Sequence, residues 1–105
     1  MTGFTQECID RLRQVSTATI TTQLFKRGLR NVYIQGIARL TDPSGGNMVG
    51  PAYTMRNIPA REDLATPASW SNPISTRSAI EAMPEGCIAV VDAMGCTDAG
   101  IFGDM

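Results

Sequence analysis

The stretch Pro84-Glu85-Gly86-Cys87-Ile88-Ala89-Val90-Val91-Asp92 decides the fold class. Residues 87–91 form a continuous apolar run between a Pro/Gly turn signal and a carboxylate. A run without polar alternation predicts a strand that is covered on both faces, as in the parallel sheet of an α/β protein. Asp92 then lies at the carboxyl end of the strand, where α/β sheets place ligands. A loop-capping role for Asp92 is the alternative.

The segment before this strand predicts a helix. Asn72 suits the N-cap and Pro73 the first helical position, so that the helix covers residues 74–83 and ends at Pro84. Residues 60–72 are polar and irregular and predict a surface connection that carries Trp70.

Two further strands are predicted at residues 32–40 and 48–57, as consecutive strands of one β-layer. A dense turn signal, Asp42-Pro43-Ser44-Gly45-Gly46, separates them. In the second strand, Gly50, Ala52 and Thr54 share a face of small residues. Tight internal packing and a binding surface both account for such a face.

The N-terminal part predicts two helices. The first covers residues 5–15 with Thr5 as N-cap, and the second covers residues 17–27 with Thr17 as N-cap. Gly28 fits the left-handed residue that ends the second helix.

The composition argues against several classes of protein. The 105 residues suit one domain, and a hydrophobic fraction of 43% argues against disorder. The charged fraction of 18% is low, which suggests surface covered in an oligomer. A net charge of -1 argues against direct nucleic-acid binding. No apolar run reaches the roughly 18–20 residues of a membrane span, and the N-terminus lacks signal-peptide features, so we expect a cytoplasmic protein.

The inventory of reactive side chains is short. The chain has no histidine, which excludes Ser-His-Asp and Cys-His catalysis within these residues. Its three cysteines make no disulfide framework and are expected to be small reduced hydrophobes. The internal methionines (Met48, Met55, Met83 and Met94) are expected to fill gaps in the core.

Arg56 is the most informative basic residue, because it lies inside a predicted strand. Its side chain has two possible roles: pairing with a carboxylate, or contact with a neighbouring subunit. Arg61, with Glu62 and Asp63, predicts a solvated charge cluster.

A glycine-rich segment, residues 95–105, follows the apolar strand. Ile101 replaces the lysine of a phosphate-binding loop, and Asp98 replaces the first glycine of a dinucleotide fingerprint, so both motifs fail. A helix that starts at Gly103 would attract an anion such as a small carboxylate. Asp104 is then either a residue of the cap region, which the residues alone favour, or part of a metal-assisted carboxylate site.

Three motifs in register resemble the RraA-like family, named for the regulator of ribonuclease activity A. They are Gly50-Pro51-Ala52-Tyr53-Thr54-Met55-Arg56 (family pattern GxAxTxR), the stretch from Pro84 to Asp92 (PGDVxVVD), and Ala99-Gly100-Ile101-Phe102-Gly103-Asp104-Met105 (AxFGDLL). Residues 17–28 also suit an early family segment, with Gln23 in place of its usual aspartate.

The resemblance implies an α/β fold, the β/β/α swivelling domain, in homotrimers or dimers of trimers. Residues 1–105 would be the N-terminal part of one such domain. Family members include 4-hydroxy-4-methyl-2-oxoglutarate aldolases that also decarboxylate oxaloacetate. These are lyases that use a divalent metal, commonly Mg²⁺, to cleave small 2-keto acids into pyruvate.

The same resemblance implies the site residues. Gly103, Asp104 and Met105 would bind the pyruvate moiety, and Asp104 would be catalytic and would hold the metal through a water. The direct metal ligand belongs to an Arg-Asp pair that the family places about twenty residues further on, beyond Met105. We therefore expect this chain to be truncated after the Gly-Asp motif, an incomplete fragment that is inactive alone. The alternative is a non-catalytic RraA-like regulator that binds a ribonuclease.

Overall fold

The computed structural model describes residues 4–98. The elements in chain order are α1 (Gln6–Leu12), α2 (Thr17–Lys26), β1 (Ala52–Arg56), α3 (Thr76–Ala82) and β2 (Ile88–Asp92). Short 3₁₀ helices cover Pro43–Gly45 and Pro67–Ser71. The chain divides into two compact units, Met1–Val49 and Gly50–Met105. The mixture of helices with a parallel strand pair is an α/β arrangement, as the sequence predicts.

In the first unit, side-chain caps define the helix starts. The Thr5 hydroxyl accepts a hydrogen bond from the Cys8 N–H at 3.2 Å, which confirms Thr5 as the N-cap of α1. The N-cap of α2 is Ser16, whose hydroxyl accepts from the Thr19 N–H, so the prediction of Thr17 is wrong by one residue.

The C-terminus of α2 ends as predicted at a left-handed glycine. Gly28 has a φ of +86°, and its N–H donates to the Phe25 carbonyl. The Leu29 N–H reaches back to the Leu24 carbonyl at 3.0 Å. This pair of bonds is the Schellman arrangement, which satisfies carbonyls that the helix itself leaves without donors.

The predicted strand at residues 32–40 is absent from the described part of the chain, so the prediction of two consecutive strands is wrong. Gly36, in the middle of the segment, has a φ of +83°, and Asn31 before it has a φ of +55°. Left-handed residues at these two places interrupt the extended backbone that a strand requires.

The turn at residues 42–46 is confirmed. The Asp42 carboxylate accepts a hydrogen bond from the Ser44 N–H at 2.9 Å, and this contact lowers the pKa of Asp42 from its ordinary value. The Arg39 guanidinium donates to the backbone carbonyls of Asp42 and Gly46, at 3.0 and 2.6 Å. The turn therefore satisfies its own backbone groups without a neighbouring strand.

In the second unit, β1 pairs with β2 in parallel, from Ala52 opposite Ile88 to Arg56 opposite Asp92. The parallel sheet predicted from the apolar run is thus confirmed. Tyr53 and Met55 of β1 are half-buried, whereas Ala52, Thr54 and Arg56 are exposed.

The prediction that β2 is covered on both faces is wrong. Ile88, Val90 and Val91 are half-buried, Ala89 and Asp92 are exposed, and none of the described residues of the chain is fully buried. The sheet has two strands in the described residues, so neither strand has neighbours on both edges.

Helix α3 starts later than predicted. Asn72 accepts a hydrogen bond from the Ile74 N–H and so holds a turn, and Ser75 is the N-cap, accepting from the Ser78 N–H. The Ser75 hydroxyl also donates to the Trp70 carbonyl at 3.0 Å, which ties α3 to the preceding 3₁₀ helix.

The predicted surface connection, residues 60–72, is exposed along almost its whole length. The methionine prediction holds in part: Met55 and Met83 are half-buried, whereas Met48 and Met94 are 81% and 61% exposed and fill no core. All three cysteines are free thiols.

Candidate functional site

The carboxyl ends of β1 and β2 lie side by side and bring two charged side chains together. Arg56 and Asp92 are the last register pair of the parallel ladder. Paired residues in register project from the same face of a sheet. The Arg56 Nε donates to Asp92 Oδ2 at 3.2 Å. Of the two roles open to Arg56 from sequence, the structure shows the pairing with a carboxylate.

Asp92 also organises the backbone that leaves the sheet. Its Oδ1 accepts a hydrogen bond from the Met94 N–H at 2.9 Å, and its backbone carbonyl accepts from the Asn57 N–H at 2.8 Å. Met94 and Gly95 have positive φ values of +56° and +72°, so the chain turns sharply here. The loop-capping role that the sequence allows for Asp92 is therefore confirmed.

Of the predicted face of small residues, Gly50, just before β1, shows a close approach, whereas Ala52 and Thr54 are exposed. The backbone carbonyl of Gly86 occupies the position that a Cβ on Gly50 would need, and the Ile88 side chain lies beside it. This is internal packing within the second unit, one of the two explanations open from the sequence.

The second charged cluster is the one at residues 61–63. The Arg61 Nε and a terminal nitrogen each donate to one oxygen of Asp63, at 2.8 and 2.6 Å. The Arg61 contact lowers the pKa of Asp63, and Asp63 in turn raises the pKa of Arg61. Both side chains are 62% exposed, as expected for a solvated cluster.

The first unit carries an open apolar groove of about 730 Å³. Its lining residues include Leu12 of α1, Val15 between α1 and α2, Ile20 of α2, and Ile37. Its polar lining residues are Thr17, Tyr33, Arg39, Thr41 and Asn47.

The predicted site residues Gly103, Asp104 and Met105 lie outside the described residues. Within residues 4–98, no group of three or more Cys, Asp or Glu side chains could hold a metal ion. In the same part of the chain, no helix has the length and apolar character of a membrane span.

Sequence reasoning singled out Arg56 and Asp92 separately but did not pair them. Asp92 was placed at the end of its predicted strand and Arg56 inside another, but the strand order that makes them neighbours does not follow from local spacing. The prediction of residues 32–40 and 48–57 as consecutive strands of one layer pointed to a different neighbour for β1.

The family comparison agrees with the motifs. No curated protein and no solved structure matches the sequence at a significant level. The family model described as RraA-like, Aldolase/RraA, matches residues 17–105, which includes both strands and the Gly-Asp segment. The chain therefore belongs to the RraA-like family.

Proposed function

We propose that this protein is a metal-dependent lyase that releases pyruvate from small 2-keto acids, by aldol cleavage or by decarboxylation of oxaloacetate. The observation that carries the proposal is the family match through residue 105, which includes the Gly103-Asp104 motif. The described edge of the sheet supports it. The segment that leads to this motif leaves the sheet at Asp92, on the side where α/β sheets bind ligands.

Negative charge develops on the substrate during cleavage. We propose that backbone N–H donors stabilise this charge. When the C–C bond breaks, its electron pair stays on the three-carbon fragment as an enolate, which then takes up a proton to give pyruvate. The other fragment leaves as CO₂ in decarboxylation or, in aldol cleavage, as a carbonyl compound whose former hydroxyl has given up its proton. Backbone N–H groups at Gly103 and Met105 are the proposed donors to the pyruvate moiety. A divalent cation, proposed to be Mg²⁺ and held through a water by Asp104, would supply positive charge beside the keto oxygen when bound.

The proposal extends to the fold, assembly and location of the protein. We propose the swivelling β/β/α domain, assembled as a homotrimer or a dimer of trimers, in the cytoplasm. The described α/β arrangement and the scarcity of buried side chains are consistent with it.

The test is pyruvate release from oxaloacetate, measured by coupling to lactate dehydrogenase across a Mg²⁺ titration. Both the 105-residue chain and the product that its gene encodes should be assayed, with decarboxylation by the free metal subtracted. We expect metal-dependent turnover from the gene product, abolished by chelation and restored by Mg²⁺. Absence of turnover, together with binding to a ribonuclease in a pull-down with purified components, would replace the enzyme proposal with the regulator.

A further inference from the structure

The first unit carries most of the apolar surface that the described residues expose. Of the large apolar side chains exposed between residues 4 and 98, more than half lie in residues 25–48. Those that line the open groove are Val32, Tyr33, Ile34, Ile37, Leu40 and Met48. The groove, of about 730 Å³, lies within the range of roughly 300–1,000 Å³ that is usual for ligand sites. Exposed apolar surface that is concentrated in one groove is typical of an interaction site.

The charge in this part of the sequence has one sign. Between Asp10 and Asp42 there are six basic residues and no acidic residue, and all six basic side chains are exposed. One of them, Arg39, is among the residues that line the groove. The groove therefore lies in a positively charged part of the chain, which favours a ligand that carries both apolar and acidic groups.

The arginines near the groove differ in how far their own unit engages them. The Arg39 guanidinium donates to the Thr41 hydroxyl and to two backbone carbonyls, so it holds the turn. Arg11, in the last turn of α1, lines a second groove with Glu7, and Leu12 lines both grooves. Within residues 4–98, Arg11 takes part in no ion pair. Its charge is therefore available to a ligand that extends from one groove to the other.

We propose that the groove of the first unit is the docking site for an acidic amphipathic helix of a partner protein. The apolar face of this helix lies on the groove, and its carboxylates pair with Arg11 and the other exposed basic residues. The inference is independent of the proposed function, because it uses none of the residues assigned to the release of pyruvate.

The surroundings of the groove favour a helix over other ligands. A partner strand needs an open strand edge to extend, and residues 4–49 contain no strand. A single-stranded nucleic acid stacks its bases on aromatic side chains, whereas the lining is mainly aliphatic, with Tyr33 as its one aromatic residue. A second copy that presents the same face would bring basic residues against basic residues.

The binding test uses three fluorescein-labelled helical peptides of about 16 residues, or roughly four turns. The first has leucines on one face and glutamates elsewhere. The second has lysines in place of the glutamates, and the third has the composition of the first with its leucines distributed around the helix. In fluorescence anisotropy with the 105-residue chain, we expect the first peptide to bind at least about tenfold more tightly than either control. Equal affinity for the first peptide and either control would overturn the inference.

Variants of the chain locate the site. Ile37→Ser removes an exposed apolar side chain from the groove and should weaken binding of the glutamate peptide by about fivefold or more. Ile74→Ser, at an exposed isoleucine of the second unit, is the matched control and should bind as the parent does. An affinity of Ile37→Ser equal to that of the parent would contradict the assignment of the groove.

A reversal of charge separates a role in binding from a role in folding. Arg11→Glu should weaken binding of the glutamate peptide and strengthen binding of the lysine peptide, an exchange that loss of structure cannot produce. Arg77→Glu, at an exposed arginine of α3, should change neither affinity. Weaker binding of both peptides to Arg11→Glu would overturn the inference.

Two other occupants of the groove are outcomes of the same test. If the chain binds phosphatidylserine vesicles and not the glutamate peptide, the groove faces a membrane surface and the proposal fails. If Ile37→Ser dissociates an oligomer in sedimentation velocity, the groove belongs to the contact with a second copy, and the proposal fails as well. We expect the oligomeric state of Ile37→Ser to equal that of the parent.

Discussion

The carbonyl of Gly86 stands where a side chain on Gly50 would begin. The chain approaches itself here with backbone against backbone, just before the first register pair of the sheet. A residue with a Cβ at position 50 would have to displace the Gly86 backbone, which no rotation of a side chain can relieve.

We therefore expect Gly50→Ala to destabilise the second unit by about 1–3 kcal/mol, the usual cost of overpacking. Gly45→Ala is the matched control, because a Cβ at Gly45 meets nothing within 4 Å. Denaturant unfolding monitored by circular dichroism gives both values. Equal midpoints for the two variants would show that the Gly50 contact is not restrictive.

The cap of α2 gives a second stability prediction. Ser16→Ala removes the hydroxyl that accepts from the Thr19 N–H and should cost about 1 kcal/mol of helix stability. Thr17→Ala, one residue on, should cost less, because the Thr17 side chain caps nothing. Amide hydrogen exchange at Thr19 distinguishes the two: protection should fall in the first variant only. Equal protection of Thr19 in the two variants would indicate that Thr17, and not Ser16, is the N-cap.

The Arg61–Asp63 contact predicts a pH dependence. Because the contact lowers the pKa of Asp63, its stabilising effect is present above the ordinary carboxyl pKa and disappears as the pH falls through the lowered value. In Arg61→Gln, the pKa of Asp63 should rise towards its ordinary value. A ¹³C titration of the Asp63 carboxyl between about pH 2 and about pH 6 measures both. An unchanged pKa in the variant would show that the pair does not persist in solution.

Asp104→Asn tests the assignment of the Gly-Asp motif in the product that the gene encodes. A residue that only begins a helix tolerates this change, since Asn is accepted near helix N-termini. A residue that holds a metal-bound water does not, and kcat/KM should fall on the order of 10–100-fold with little change in melting temperature. The measurement is kcat/KM across a Mg²⁺ titration together with a thermal melt. Equal activity of the parent and the variant would indicate that Asp104 has a role in the cap region only.

Self-association is expected from the surface. Leu40, Ile74 and Met48 are 98%, 91% and 81% exposed, and no residue between 4 and 98 is buried. The exposure of so many apolar side chains to water is unfavourable, and contact with another protein surface removes them from water. Sedimentation velocity over a range of concentrations should show a trimer or a dimer of trimers. A monomer with a cooperative thermal transition at every concentration would contradict this expectation.

Local signals in the sequence were sufficient for the existence of the helices and of β2, and for the start of α1 and the end of α2. Thr5 and Gly28 act through contacts within a few residues, so their roles follow from sequence spacing alone. The five apolar residues before Asp92 likewise predicted a strand and its parallel partnership. The shift from Thr17 to Ser16 is within the usual uncertainty of helix boundaries.

Two of the wrong predictions have their cause in competing local contacts. The apolar residues at 32–40 favoured a strand, but Gly36 adopts a left-handed conformation and Arg39 bonds the carbonyls of the adjacent turn. Similarly, Asn72 has the chemistry of an N-cap but holds a turn, and Ser75 caps the helix. At the candidate site, Arg56 was recognised as unusual, yet its partner depended on strand order, which local spacing does not encode.

The register of the sheet also has a consequence for how fast the second unit folds. Arg56 and Asp92 are thirty-six positions apart, and every pair in the parallel ladder has the same separation. Bringing such distant residues together costs about 3 kcal/mol of chain entropy before any ladder bond compensates for it. The caps and turns close over a few residues on a submicrosecond to microsecond scale. The ladder is therefore the slow step, and changes confined to β1 or β2 should alter the folding rate more than changes to the helix caps.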